Sequence, residues 1–348
     1  MTGPLTRSTI VVVTWRGKGH VSACLDAVAA QTRPHRLLVV DNASDDGTAE
    51  VLARHPSAPP VLRLPANAGY AGALAAVTVD TEFTAWLNDD AEPAPDWLAR
   101  LEDALDQRKD AAAATSRMIG TDGAVISVGV GLTADGHGVD LVSPDLPPFG
   151  FCGGAALLRT AALREAGGVP ARFFCYYEDT DTAWRLRLAG HTIVSVPDAV
   201  VTHRHGASSR PGSRQFHLWN ERNRLAMLIR CAPATVATRE AARFAAITAL
   251  LPLRRTLGRL RPAGDSEATQ SVDNPMLAGQ KRRWSRVTWN RGPEAVPWNF
   301  RVGLRLRVLC EVLVTLRSLL RERRTVTRLA NVPRSVVWRR ARSVNSSS

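Results

Sequence analysis

Trp86-Leu87-Asn88-Asp89-Asp90 sets two adjacent carboxylates at the end of an apolar segment that reads as a buried strand. Carboxylates in such a place are costly unless something binds them. In open α/β sheets ligands sit in the crevice at the carboxyl ends of the strands. Acidic residues at that edge are therefore candidates for holding a hard cation and a phosphorylated ligand. A solvated turn before a helix would use the same residue types, because Asp and Asn favour turns and caps.

Outward from this stretch, short apolar runs alternate with helical stretches from Thr9 to about Val201, the pattern of an α/β fold with a mostly parallel sheet covered by helices. Strands are predicted over residues 10–14, 36–40, 61–64, 83–87 and 112–118. Val21, Leu25 and Val28 recur at helical spacing; Asp46 and Thr48 can cap a helix ending near Arg54; Asn67 can cap another through Val77. Pro93 and Pro95 suit the first turn of a helix containing Trp97, Leu98, Leu101 and Leu105. Between Gly120 and Pro148 glycines and prolines predict loops and short strands. A strand-like run from Ala155 then passes into a helix stopped by Gly167-Gly168, and a further helix follows Glu178 and stops at Gly190.

The 348 residues, 45% of them hydrophobic, suffice for one large core with an appendage. Five cysteines, odd in number and without a CxxC pair, argue against a disulfide framework or a zinc cluster and predict a reducing, intracellular compartment. The apolar run from Ile10 to Val13 is too brief for a secretory signal. The formal net charge of +13 is unevenly placed: residues 254–348 carry 21 Lys and Arg against 6 Asp and Glu, and residues 1–253 carry 24 against 26. The division expected is a domain over residues 8–232 and a basic, mainly helical extension over 233–348.

Residues 241–253 are apolar but far short of the roughly 20 needed to span a bilayer. Pro262 to Asn274 reads as a linker, followed by Lys281-Arg282-Arg283. Val302, Leu306, Leu309, Leu313, Leu316 and Leu320 then form a stripe flanked by arginines. Such a basic amphipathic segment suits an anionic lipid surface. The same stripe can pack on the folded domain or on a second copy of the chain, and no module for nucleic acid accompanies the charge.

Gly17-Lys18-Gly19 after the first strand and Asp41 after the second imitate a dinucleotide-binding fingerprint, but Ser22 stands where the third glycine belongs. An NAD-dependent oxidoreductase is thus an alternative. Another set of residues is more specific in its order: Asp41-Asn42-Ala43-Ser44-Asp45-Asp46-Gly47-Thr48, Asn67-Ala68-Gly69-Tyr70, Asn88-Asp89-Asp90, Gly153-Gly154, Phe173 through Asp181, His203-Arg204-His205-Gly206-Ala207-Ser208 and Arg222-Asn223. Across about two thirds of its length the chain resembles the glycosyltransferase family 2 enzymes of GT-A fold. Within them it is most like bacterial rhamnosyl- and galactofuranosyl-type transferases that build cell-surface glycans.

That resemblance implies an inverting transfer of sugar from a UDP- or dTDP-sugar to a hydroxyl of a glycan or polyprenyl-diphosphate-linked acceptor, at the cytoplasmic face of the membrane. It implies that Asp41 accepts the imide N–H of the pyrimidine, that Asn67 and Gly69 open a helix near the nucleotide, and that Asn88 or Asp89 meets the ribose. Asp90 would bind Mg²⁺ or Mn²⁺, with His203 or His205 as a second ligand. Asp179 is the first choice of base, with Glu178 or Asp181 as partner. Arg222 and Asn223 would touch the diphosphate or cap the last helix of the fold. A catalytically silent scaffold with the same fold is a further alternative. The residues from Gly120 to Pro148 match no pattern of the family, so the acceptor is left open.

Overall fold

The computed structural model describes residues 6–204, 212–259 and 301–343, without side chains for 253–259 and 342–343. Among the described residues nine strands form one mixed sheet. Its parallel half is built on β1 (Ser8–Thr14), flanked by β2 (His35–Asp41) and β4 (Phe83–Asn88), all parallel, with β3 (Val61–Arg63) outside β2. Every residue of β1 is buried, as expected where helices cover both faces of a parallel sheet. The covering helices are α1 (Val21–Ala29), α2 (Thr48–Arg54) and α3 (Gly69–Ala75). Val21, Leu25 and Val28 of α1 face the core, as their spacing requires.

Past β4 the sheet changes direction. β10 (Ala155–Arg159) inserts antiparallel between β4 and β6 (Ala111–Ile119), and β6 pairs in parallel with β11 (Thr192–His203). At the far edge β5 (Ala91–Pro93) lies antiparallel to β11. Pro93 therefore closes an edge strand instead of entering a helix; an edge tolerates the missing N–H. The helix predicted there, α4 (Trp97–Gln107), starts only after Pro95 and buries Trp97, Leu98, Leu101 and Leu105. Residues 120–148 form β7 (Val125–Ser127), paired with β6, and a separate hairpin of β8 (Val130–Leu132) and β9 (Gly138–Asp140).

The remaining helices are α5 (Thr160–Glu165), α6 (Glu178–Leu188), α7 (Arg214–Cys231), α8 (Ala234–Arg259), α9 (Val302–Leu329) and α10 (Arg334–Ser343). They do not trail from the sheet domain. Leu304, Val308, Val312, Leu319 and Val326 of α9 share a buried cluster with Trp184 of α6, with Leu225 and Leu228 of α7 and with Trp338 of α10. The stripe expected on α9 is split by this packing: Leu309 packs against the cluster, whereas Leu306, Leu313 and Leu320 are exposed. No helix of the described residues is long and apolar enough to cross a membrane.

Candidate active site

Register brings the chemistry to one edge. Thr14 pairs with Asp41, and Val13 with both Val40 and Asn88, so the carboxyl ends of β1, β2 and β4 lie level. Ala155 pairs with Leu87, which puts Gly153-Gly154 at that same edge. Among the described residues six non-glycine residues have positive φ, and Arg16, Ala43, Phe174, Tyr176 and Tyr177 are five of them. Arg16 and Ala43 follow β1 and β2, and the other three precede α6. Backbone strain of this kind persists where surrounding contacts over-determine it, commonly at ligand sites.

Asp90 and His203, predicted as metal ligands, meet: His203 Nε2 lies 3.0 Å from Asp90 Oδ1 and 3.2 Å from Asn88 Nδ2. β11 ends at His203 opposite Ala91, which closes a separation of more than a hundred residues. Asp89 turns the other way, its Oδ2 3.1 Å from His20 Nε2. This pairing with the Asp89 carboxylate raises the His20 pKa above its ordinary value. Asp89 Oδ2, His20 Nε2 and Thr14 Oγ1 are buried without a well-formed hydrogen bond, and they gather around Gly17. His205 lies outside the described residues.

These groups fit a divalent cation. A carboxylate and an imidazole are ligands that Mn²⁺ accepts, and the carboxylates suit Mg²⁺ as well. Among the described residues no cluster of three or more His, Cys, Asp or Glu is arranged to hold a metal alone. Partial coordination by protein, completed by phosphate oxygens and water, is the usual arrangement for Mg²⁺ at a nucleotide.

Glu178 and Asp179 open α6 on the other side of Gly153-Gly154. Gly153 N–H donates to Asp179 Oδ2 at 3.0 Å, and the Thr180 N–H and hydroxyl donate to Oδ1 at 2.5 and 3.0 Å. Asn88 N–H donates to Gly154 O at 3.0 Å, so the Asn88–His203–Asp90 group and Asp179 are joined through two glycines. Side chains there would intrude: a Cβ on Gly153 would sit 3.2 Å from Asp179 Cβ, and one on Gly154 3.1 Å from Asn88 Nδ2. Burial raises the Asp179 pKa, against the pull of its hydrogen bonds. Glu178, buried beside the Asp179 charge and with no partner for Oε2, is pushed up to about 8. Asp181 pairs instead with Arg185 at 2.7 Å and Arg230 at 2.5 Å, inside the helical core.

The strained turn that delivers Glu178 and Asp179 is held from α7. Asn223 Nδ2 reaches the carbonyls of Phe173, Cys175 and Tyr176 at 2.8–2.9 Å. Arg222 donates to Phe173 O at 2.9 Å and pairs with Glu311 of α9 at 3.3 Å. Arg222 thus clamps the turn, its guanidinium drawn to a carbonyl and to a carboxylate of the extension. Gly69 opens α3, and the space a Cβ would take at its positive φ of 72° is filled by Phe174, so close packing requires the glycine.

Asp41 and Asn67 occupy the expected edge and also serve the backbone. Asp41 Oδ1 accepts from Ser44 N–H at 2.9 Å and Oδ2 from Arg63 at 2.7 Å. Asn67 Oδ1 accepts from Gly69 N–H at 2.8 Å and from Asn42 at 3.0 Å. Three participants carried no sequence signal: His20, Arg63, and Asp140 of β9, whose carboxylate is within electrostatic reach of Asp179 and His203. Gly17 packs against Thr14 and Asp89, which explains the glycine without a dinucleotide. A cavity of about 670 Å³ between α1 and α2, lined by Lys18, Glu50, Arg54 and His55 among others, includes none of the acidic residues at the sheet edge.

Residues 9–167 match the model of the family described as glycosyl transferase family 2. The chain is 29% identical over 247 residues to N-acetylglucosaminyl-diphospho-decaprenol L-rhamnosyltransferase of Mycobacterium tuberculosis, covering 60% of this chain and 79% of that protein. In fold it is similar to a mannosyltransferase of Pyrobaculum calidifontis, solved with GDP-Man and Mn²⁺ (TM-score 0.50, 20% identity, 75% of this chain and 82% of that one). It is also similar to GalNAc-T7, solved with UDP, GalNAc and Mn²⁺ (TM-score 0.53, 15% identity, 65% and 48%).

Proposed function

With residues 9–167 matching glycosyl transferase family 2 and the chain a glycosyltransferase that uses a nucleotide-sugar donor, we propose an inverting, metal-assisted transfer from a UDP- or dTDP-sugar to a polyprenyl-diphosphate-linked or glycan hydroxyl. The observation that carries this reading is the junction at Gly153-Gly154, with Asp90, His203 and Asn88 on one side and Asp179 on the other. The name of the mycobacterial relative supports the choice of acceptor class. The catalytic unit proposed is residues 8–232.

The parts divide the work as follows. Asp41 and Asn67 hold the base end of the donor and Asp89 its ribose, with His20 fixing the Asp89 carboxylate. Asp90 and His203 would hold Mg²⁺ or Mn²⁺, which supplies neutralisation of the charge that grows on the departing diphosphate. The acceptor oxygen attacks the anomeric carbon from the face opposite the diphosphate. Its C–O bond forms as the bond from carbon to phosphate oxygen breaks, and its proton passes to Asp179. An anchored carboxylate whose pKa is raised by burial suits that role, because it is more basic than an exposed Asp. Asp140, across from Asp179, is placed to meet the acceptor.

Thermal-shift screening of UDP-, dTDP- and GDP-sugars with Mn²⁺, followed by transfer assays with the stabilising donor, tests this. Stabilisation by uridine or thymidine donors, reduced in Asp90→Ala, is expected. Stabilisation by GDP-sugars alone would overturn the pyrimidine assignment, and a chain with no metal-dependent activity on any donor would overturn the reading as a whole.

A further inference from the structure

The two long faces of α9 differ. One packs on α7 through Leu304, Val308, Val312 and Leu319. Both carboxylates of the helix turn to that side: Glu311 pairs with Arg222 and Arg307, and Glu322 with Arg172 and Arg230. The opposite face is apolar and basic together. Leu306, Leu313 and Leu320 recur every seven residues beside Val314, and Arg317, Arg321, Arg324 and Arg328 follow at three- and four-residue steps on the same side. Leu313 is 65% exposed and Val314 85%. Five of the eight exposed large hydrophobics among the described residues lie on this helix.

We propose that this outer face of α9 docks the enzyme on an anionic lipid bilayer. Burial against an apolar protein surface would desolvate arginines that have no carboxylate partner among the described residues, and full hydration would leave the leucines in water. At a bilayer surface the leucines and valine enter the acyl boundary while the arginines reach the headgroup phosphates. Residues 260–300 of this chain carry six basic against four acidic side chains, a net positive charge. The choice of a bilayer as occupant rests on the lipid-linked acceptor proposed above. Because α9 is fixed to α7, and α7 holds the turn before Glu178, docking would fix the orientation of the cleft relative to the bilayer.

The test is cosedimentation of the full chain with vesicles of phosphatidylcholine alone and of phosphatidylcholine mixed with phosphatidylglycerol and cardiolipin. Binding to the anionic vesicles alone is expected, weakening as salt rises. The Leu313→Glu/Val314→Glu variant should lower it at least tenfold, and Arg317→Ser/Arg321→Ser/Arg324→Ser should also remove most of the salt dependence. Circular dichroism and donor hydrolysis without vesicles should match the parent in both variants. Parent-like vesicle binding by both variants, no binding by the parent, or a parent dimer that either variant dissociates would overturn the proposal. Donor hydrolysis by a parent that ignores vesicles would overturn the docking face alone, whereas vesicle binding by an inactive parent would overturn the catalytic reading alone.

Discussion

Glu178 and Asp179 are adjacent in sequence, but their surroundings separate their chemistry. Asp179 is anchored by Gly153 and Thr180, whereas Glu178 is buried with an unpaired oxygen. Asp179→Asn should therefore lower transfer by about 10²–10⁴-fold while leaving donor affinity within a few fold, read from kcat and from donor titration. Glu178 has a different signature. Its pKa rises from an ordinary 4.5 to about 8 in the folded chain, so the folded state binds more protons than the unfolded one between those values and stability declines as pH climbs through them. Glu178→Gln should raise Tm relative to the parent by a margin that opens from about pH 4.5, grows to about pH 8 and then stays constant; a margin independent of pH would contradict the burial argument. The acidic pair and Asp90 were legible in sequence because ionisable residues at the ends of apolar runs are conspicuous. The difference between Glu178 and Asp179 was not, since it depends on which carboxylate faces the Gly153 amide.

At the scale of elements, the strands of the parallel half were legible because buried strands read as unbroken apolar runs. The direction of β10 was not, because an apolar run carries no record of parallel or antiparallel pairing, and that reversal is what brings Gly153-Gly154 to the ligand edge. Asn223 illustrates the same limit. Its motif was visible, but its work on three carbonyls of a strained turn is purely tertiary. Asn223→Ala would remove the amide donor from those carbonyls, leaving Phe173 O to Arg222, and should destabilise the chain by about 1–3 kcal/mol, with a loss of kcat larger than the change in donor KM. Unchanged kcat would show that the turn holds its shape without the amide.

Over the whole molecule, charge bookkeeping marked the C-terminal third as distinct, yet its helices complete the core that backs α6 and α7. The stripe read from periodicity was half correct, because a helix with apolar residues on two faces gives no sign of which face the protein takes. Leu319 is fully buried on the inner face, so Leu319→Ala should cost about 2–5 kcal/mol in chemical denaturation. The same change at the exposed Leu313 should leave stability within about 0.5 kcal/mol. The most direct test of the central claim, a single cleft that joins the cation site to the carboxylate base, is a crystal structure of the chain with Mn²⁺ and UDP or dTDP. The account predicts Mn²⁺ between Asp90, His203 and the diphosphate, with the β-phosphate open towards Asp179 across Gly153-Gly154. A nucleotide seated elsewhere, such as the cavity between α1 and α2, or a diphosphate screened from Asp179, would contradict it.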